Sequence, residues 1–213
     1  KKDTECEKAH CVWTDATAEE LTKDPAVLGH CSDVLSLTSN GCIPETLLKD
    51  INIPGITIGP KCEDARLTGP TISVLVQAKD RADALGYTLT INGAFRSAAY
   101  QQFLYDCYMT VHDGGVCPAD CMADSKCNLA SKPDCQTSSH MQGIAIDVCG
   151  VINGLNTCGH ADMAHNCTSE NSPSACAGVP GLYKAQIDLK ALMEKAGFSK
   201  DVSTEWWHFT NRN

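Results

Sequence analysis

The sequence predicts an α+β domain, with helices packed on a mainly antiparallel sheet and cysteine-rich, disulfide-stapled extensions. Three observations predict it. Two segments, Thr71–Leu85 and Lys184–Ala196, carry apolar residues at helical spacing and are closed by Gly86 and Gly197. Between and after them, short runs rich in β-formers mark strands. Fourteen cysteines lie mostly outside these elements, in three groups. The coarse order is helix, strand, helix, insert, strand, insert, helix, strand, which suits helices laid on an antiparallel sheet.

Residues 1–66 are irregular in pattern, because Pro44, Pro54 and Pro60 interrupt any long element. Asp15–Thr22 is the exception, a short helix with Thr17 as N-cap and Glu20 three residues later. In Thr71–Leu85 the stripe Leu75, Ala78, Ala82 and Leu85 faces the core. Tyr87–Ile91 follows as a strand, broken by Asn92-Gly93. A second helix opens at Arg96-Ser97 and runs through Tyr100, Phe103, Leu104 and Cys107. Residues 108–137 are a polar insert, and cross-linking is the simplest account of so long a stretch without a core pattern. Gly143–Val148 alternates, with Ile144, Ile146 and Val148 on one face and Asp147 on the other. Residues 149–180 form a second insert, Lys184–Ala196 the last helix, and Glu205–Thr210 a short aromatic strand. The expected organisation is a cysteine-rich extension over 1–66 packed on a main domain over 67–213, with inserts near 108–137 and 149–180.

The charge balance, 17 Lys and Arg against 26 Asp and Glu, shows no basic stripe and makes nucleic acid a poor partner. No apolar run reaches the ~18–20 residues that span a bilayer. The opening Lys1-Lys2-Asp3-Thr4 reads as the start of a mature product, and the chain is read as a monomer. An even cysteine count without Cys-x-x-Cys pairs points to disulfides, hence to a secreted or periplasmic, oxidising location. Residues 6–62 hold five cysteines, 107–135 five and 149–176 four. If all pair, each odd group sends a bridge outside itself, which predicts a staple from the N-terminal segment to a later insert. Asn166-Cys167-Thr168 is a formal glycosylation sequon, and His160, Asp162 and His165 are a weaker second metal pattern.

The chemistry concentrates in Ser138-Ser139-His140-Met141-Gln142-Gly143-Ile144-Ala145-Ile146-Asp147 and in Glu205-Trp206-Trp207-His208. His140, Asp147 and His208 are candidate zinc ligands of the N/O type, and a catalytic zinc needs three such ligands with one position open. A turn at Gln142-Gly143 would bring His140 back toward Asp147 on the following strand. Glu205 is the carboxylate to serve as general base for a water whose pKa the metal lowers to about 7. On a regular strand Glu205 and His208, three apart, would point to opposite faces, so an irregular start is required. Arg96, just after the strand, is the cationic donor for an oxyanion or a substrate carboxylate.

Phe95-Arg96-Ser97, Ser138 through Asp147 and Glu205 through His208 together resemble the zinc D-alanyl-D-alanine peptidases, carboxypeptidases and dipeptidases whose fold is shared with the Hedgehog signalling domain. The resemblance spans roughly Thr71 to Thr210. It implies a Zn2+ cofactor held by His140, Asp147 and His208, Glu205 as catalytic base, Arg96 in catalysis and substrate binding, and Ser138 as a substrate-binding serine. The implied substrate is D-Ala-D-Ala or a peptidoglycan-derived peptide. The cysteine load departs from the family pattern, and the inserts flank the metal motifs, which bears on substrate length. A Hedgehog-like module that keeps zinc without hydrolysis is the alternative; the presence of both Glu205 and Arg96 argues against it.

Overall fold

The computed structural model describes residues 42–118, 121, 130–157, 181–203 and 205–212, together with the backbone of two short strands, β1 (Val12–Asp15) and β2 (Gly29–Ser32), which pair antiparallel. Within these residues the chain is α+β. A five-stranded sheet carries the order β4 (Ile56–Ile58), β6 (Thr88–Gly93), β7 (Ala145–Ile152), β8 (Leu155–Asn156), with β9 (His208–Thr210) also on β7. Only the β4–β6 pairing is parallel; the others in this sheet are antiparallel. A separate antiparallel pair joins β3 (Leu48–Asp50) to β5 (Arg66–Thr68).

Among the described residues three long helices accompany the sheet: α1 (Gly69–Ala84), α2 (Ala98–His112) and α3 (Leu182–Ala196). Thr68 caps α1 through its side chain with a proline in the first turn, and Ser97 caps α2 in the same way. Gly86 (φ +68°) and Gly197 (φ +116°) take the left-handed conformation that ends α1 and α3, as their positions predict. Helices α1 and α3 pack on each other and on β6 and β7, burying Leu75, Ala78, Ala82, Leu89, Ile91, Ile146, Val148, Leu189 and Met193 in one core. Leu85, expected in the α1 stripe, is 58% exposed because the helix has ended before it.

Several predicted boundaries move. Helix α2 runs on to His112, so the first insert begins later than residue 108. Strand β7 continues to Ile152 and turns through Asn153 (φ 52°) and Gly154 (φ 77°) into β8, so residues 149–156 belong to the sheet rather than to an insert. The strand expected over Glu205–Thr210 begins only at His208. Residues 48–58, within the stretch read as irregular, supply β3 and the edge strand β4. The staple predicted from cysteine counting is present as Cys42–Cys135, and Cys107–Cys121 is a second bridge. Cys117 and Cys149 are disulfide-bonded as well, whereas Cys62 carries a free thiol, so the premise that every cysteine pairs does not hold. Thr17–Thr22, the His160–His165 cluster and Asn166 lie outside the described residues.

Candidate metal centre

Asp147 and His208 meet because β7 and β9 place them directly opposite one another in register, with their side chains on one face. Their neighbours Ile146 and Phe209 are also paired and turn the other way into the core, both 0% exposed. The third member, His140, comes from the turn Ser139–Gly143. Gly143 donates its N–H to His140 O and takes φ +66°, a conformation that suits glycine and folds the chain back onto β7. The turn is held from below. Cys42 N–H donates to Met141 O, Gln142 bonds Cys135 O, and the Cys42–Cys135 bridge packs with buried Met141.

The result is a close triangle of ligand atoms. His140 Nε2 lies 3.1 Å from His208 Nδ1, His208 Nδ1 lies 3.1 Å from Asp147 Oδ1, and His140 Nε2 lies 3.3 Å from Asp147 Oδ1. All three residues are buried. Ligand atoms about 2.0–2.1 Å from a tetrahedral ion stand about 3.3–3.4 Å apart, so the triangle has nearly the size such an ion requires. The ring on the other side of each histidine is also engaged. His140 Nδ1 donates to Ala94 O at 2.6 Å, which leaves a lone pair on Nε2 facing the triangle. His208 Nε2 lies 3.3 Å from Thr210 Oγ1, 3.4 Å from Ser139 Oγ and 3.7 Å from Asp201 Oδ1. Two ring nitrogens and a carboxylate oxygen turned toward one point repel unless a proton or cation lies between them; the donor set fits a divalent cation of zinc type.

Gly93 of β6 faces Asp147 across the sheet at a register irregularity. A Cβ at that position would come within 2.5 Å of Asp147 Oδ2, so glycine is what lets the carboxylate lie against the strand. Arg96, in the loop between β6 and α2, donates from Nη2 to the same oxygen at 2.6 Å. Asp147 therefore presents Oδ1 to the histidines and Oδ2 to Arg96.

Glu205 reaches the triangle through a turn. His208 N–H donates to Glu205 O at 3.3 Å, which curls residues 205–208 and removes the conflict that a regular strand would create. Its Oε2 stands 3.8 Å from His208 Nδ1, beside the ligand atoms without displacing them. Trp206 anchors the turn in the core at 3% exposure, and Val148 N–H donates to Trp207 O.

The electrostatics follow burial and neighbours. Burial, reinforced by the Arg96 charge, lowers the His140 pKa to about 4. For Asp147, burial pushes upward, but the charges of His140 and Arg96 outweigh it and hold the carboxyl well below its usual range. Glu205 is raised, first by burial and then by the negative charge of Asp147. His208 is raised because the hydrogen bond and charge of Asp147 outweigh its burial. Beside Arg96 in the chain, Phe95 and Ser97 line a cavity of about 220 Å³ with Glu63, Asp64 and Tyr100.

His140, Asp147, His208, Glu205 and Arg96 thus gather here, while Ser138 is buried and bonds Asp134 and Gln142 through its backbone. The serine whose hydroxyl touches His208 is Ser139. Sequence reasoning also passed over Gly93, Ala94, Asp201 and Thr210. No helix among the described residues is long and apolar enough to cross a membrane.

No protein-family model and no curated protein matches this chain. Among solved structures it is similar to the LdcB LD-carboxypeptidase, at 18% identity and a TM-score of 0.49 over 80% of this chain and 69% of that one. It is also similar to a variant of the vancomycin-resistance D,D-pentapeptidase VanY in complex with Zn(II), at 16% identity and a TM-score of 0.45 over 85% of this chain and 88% of that one. The VanYB structure in complex with D-alanine-D-alanine matches at 18% identity and a TM-score of 0.44, over 85% and 87%.

Proposed function

We propose that this chain is a secreted zinc metallopeptidase of the D,D-peptidase type, cutting a D-Ala-D-Ala bond or a related bond of cell-wall peptides. The observation that carries the reading is the buried triangle of His140 Nε2, Asp147 Oδ1 and His208 Nδ1, 3.1–3.3 Å on each side, with a fourth side chain, Glu205, 3.8 Å from one corner. Zinc bound by these three would polarise a scissile carbonyl and acidify a water. Glu205 accepts a proton from the attacking water and delivers it to the leaving amine; its raised pKa moves it toward the working pH, where proton transfer in both directions is efficient. Arg96 holds a developing oxyanion or the substrate's carboxylate; a guanidinium has five N–H donors, and the bond to Asp147 uses one. Ser138, whose carbonyl accepts from Gln142 N–H, would be the substrate-binding serine of the motif. The substrate class rests on the sequence motifs. The cysteine load supports the secreted location, and residues 67–213 would form the catalytic unit.

The test is incubation with D-Ala-D-Ala and with a pentapeptide stem, with and without chelator, followed by mass spectrometry of the products. Cleavage should be lost with chelator and restored by zinc. Glu205→Gln should bind zinc as the parent does and lose about 10²–10⁴-fold in turnover. Turnover that survives either the chelator or Glu205→Gln defeats the proposal.

A further inference from the structure

His208 is held from both sides, and the two sides compete for its ring proton. On the Nδ1 side stand Asp147 Oδ1 at 3.1 Å, His140 Nε2 at 3.1 Å and Glu205 Oε2 at 3.8 Å. Asp147 alone would favour a proton on Nδ1, the atom that must be bare to bind a metal. On the Nε2 side stand Thr210 Oγ1, Ser139 Oγ and, farther out, Asp201. Thr210 has one hydroxyl hydrogen, and it goes to Asp201 Oδ1 at 3.1 Å, because a carboxylate only accepts. With its hydrogen so committed, Thr210 Oγ1 can offer His208 Nε2 only lone pairs, so Nε2 is the donor in this contact, and Ser139 Oγ, which can accept as well as donate, is compatible with that. Asp201 is fixed in turn by Arg212, whose Nε and Nη2 donate to Oδ2 at 3.2 and 2.5 Å. Thr210 is 0% exposed and its backbone is bonded to Ser199 in both directions, so the hydroxyl has little freedom to turn elsewhere.

We infer that Asp201, acting through Thr210, fixes His208 in the tautomer protonated at Nε2 and so keeps Nδ1 available as a metal ligand. Asp201 and Thr210 are positioning residues; neither touches the reacting atoms. The inference rests on the metal role proposed for His208. Partners of this kind typically change metal affinity by about 10–100-fold.

Zinc affinity is measured by competition with a chromogenic chelator for the parent chain and for Thr210→Val, Thr210→Ser and Asp201→Asn. Thr210→Val keeps the shape and removes the hydroxyl, and should weaken zinc binding about 10–100-fold. Thr210→Ser keeps the hydroxyl and should stay within a few-fold of the parent, while Asp201→Asn should fall between the two. In the zinc-loaded parent, long-range proton–nitrogen correlation should show His208 protonated at Nε2. Parental affinity in Thr210→Val, or equal weakening in Thr210→Ser and Thr210→Val, overturns the inference while leaving the peptidase reading standing; a proton on Nδ1 in the zinc-loaded parent overturns both. A parent chain that takes up no zinc overturns the peptidase reading, and the inference with it.

Discussion

Replacing Gly93 by alanine tests whether the sheet itself shapes the metal centre. The backbone at Gly93 has no positive φ, so the substitution carries no conformational strain, and its cost is steric. A Cβ there would lie 2.5 Å from Asp147 Oδ2, 3.1 Å from its Cγ and 3.2 Å from its Cβ. A carbon and an oxygen in ordinary contact stand roughly 3.2 Å apart or more, so the overlap with Oδ2 is roughly 0.7 Å. Asp147 cannot absorb it freely. Its Oδ2 is held by Arg96 at 2.6 Å and its Oδ1 faces His208 at 3.1 Å, so moving the carboxylate breaks one contact or both. Overpacking of this size costs about 1–3 kcal/mol. If the carboxylate moves, the cost appears as lost zinc affinity, roughly 5–150-fold by the same energy. If β6 moves instead, it appears as a lower melting temperature of the metal-free protein. Calorimetric zinc titration and thermal unfolding, run on Gly93→Ala and the parent together, separate these routes. A variant that matches the parent in both would refute the placement of Asp147 against Gly93.

Three other outcomes follow from the same contacts. Cys42→Ala with Cys135→Ala opens a loop of sequence separation 93, and chain entropy puts the loss at up to about 4.6 kcal/mol; zinc affinity should fall too, since the bridge supports the His140 turn, and unchanged chemical denaturation would contradict the staple. The Cys62 thiol is pushed up to about 11, by burial first and then by the charges of Asp64 and Asp147. Only about one thiol in a thousand is then ionised at pH 8, so alkylation of the native chain should be slow and rise about tenfold per pH unit to near pH 11, and fast labelling at pH 8 would exclude that environment. Arg96→Lys keeps a charge but loses the planar fork, and should lower kcat/KM by at least about tenfold with zinc still bound; parental kcat/KM would remove Arg96 from the chemistry.

What the sequence disclosed depended on how local the signal was. The stripes of α1 and α3 and their closing glycines were legible because helical spacing and the left-handed cap are properties of a few neighbouring residues. His140, Asp147, Glu205 and His208 were legible as residue types in an order, and the turn at Gly143 as the means of bringing the first two together. The hairpin at Asn153-Gly154 carried a strong local signal, an Asn-Gly pair between β-formers, but the surrounding cysteines and glycines drew the reading toward a loop. Strand β4, three residues between Pro54 and Pro60, is too short for any periodicity to show. Gly93 looked like a strand breaker. Its function depends on which residue of β7 lies opposite, and register is a long-range property. Thr210 and Asp201 were hidden for the same reason, since their link to His208 requires β9 and the Asp201 loop to be folded together.

The distribution of the ligands over the fold suggests how the centre keeps its shape. Asp147 and His208 sit on paired strands, and a slip of one residue between β7 and β9 would turn one of them into the core in exchange for Ile146 or Phe209. Burying a carboxylate or imidazole among those side chains is far costlier than the native pairing, so the hydrophobic face of the sheet enforces the register of its polar face. His140 has no such protection, because a turn has no register to lock. It is there that the chain supplies a covalent link, with Cys135 five residues ahead of His140 and Cys42 bonded through its backbone to Met141 just after it. The cysteine enrichment that sets this sequence apart is thus placed, at this bridge, where sheet packing cannot hold a ligand by itself.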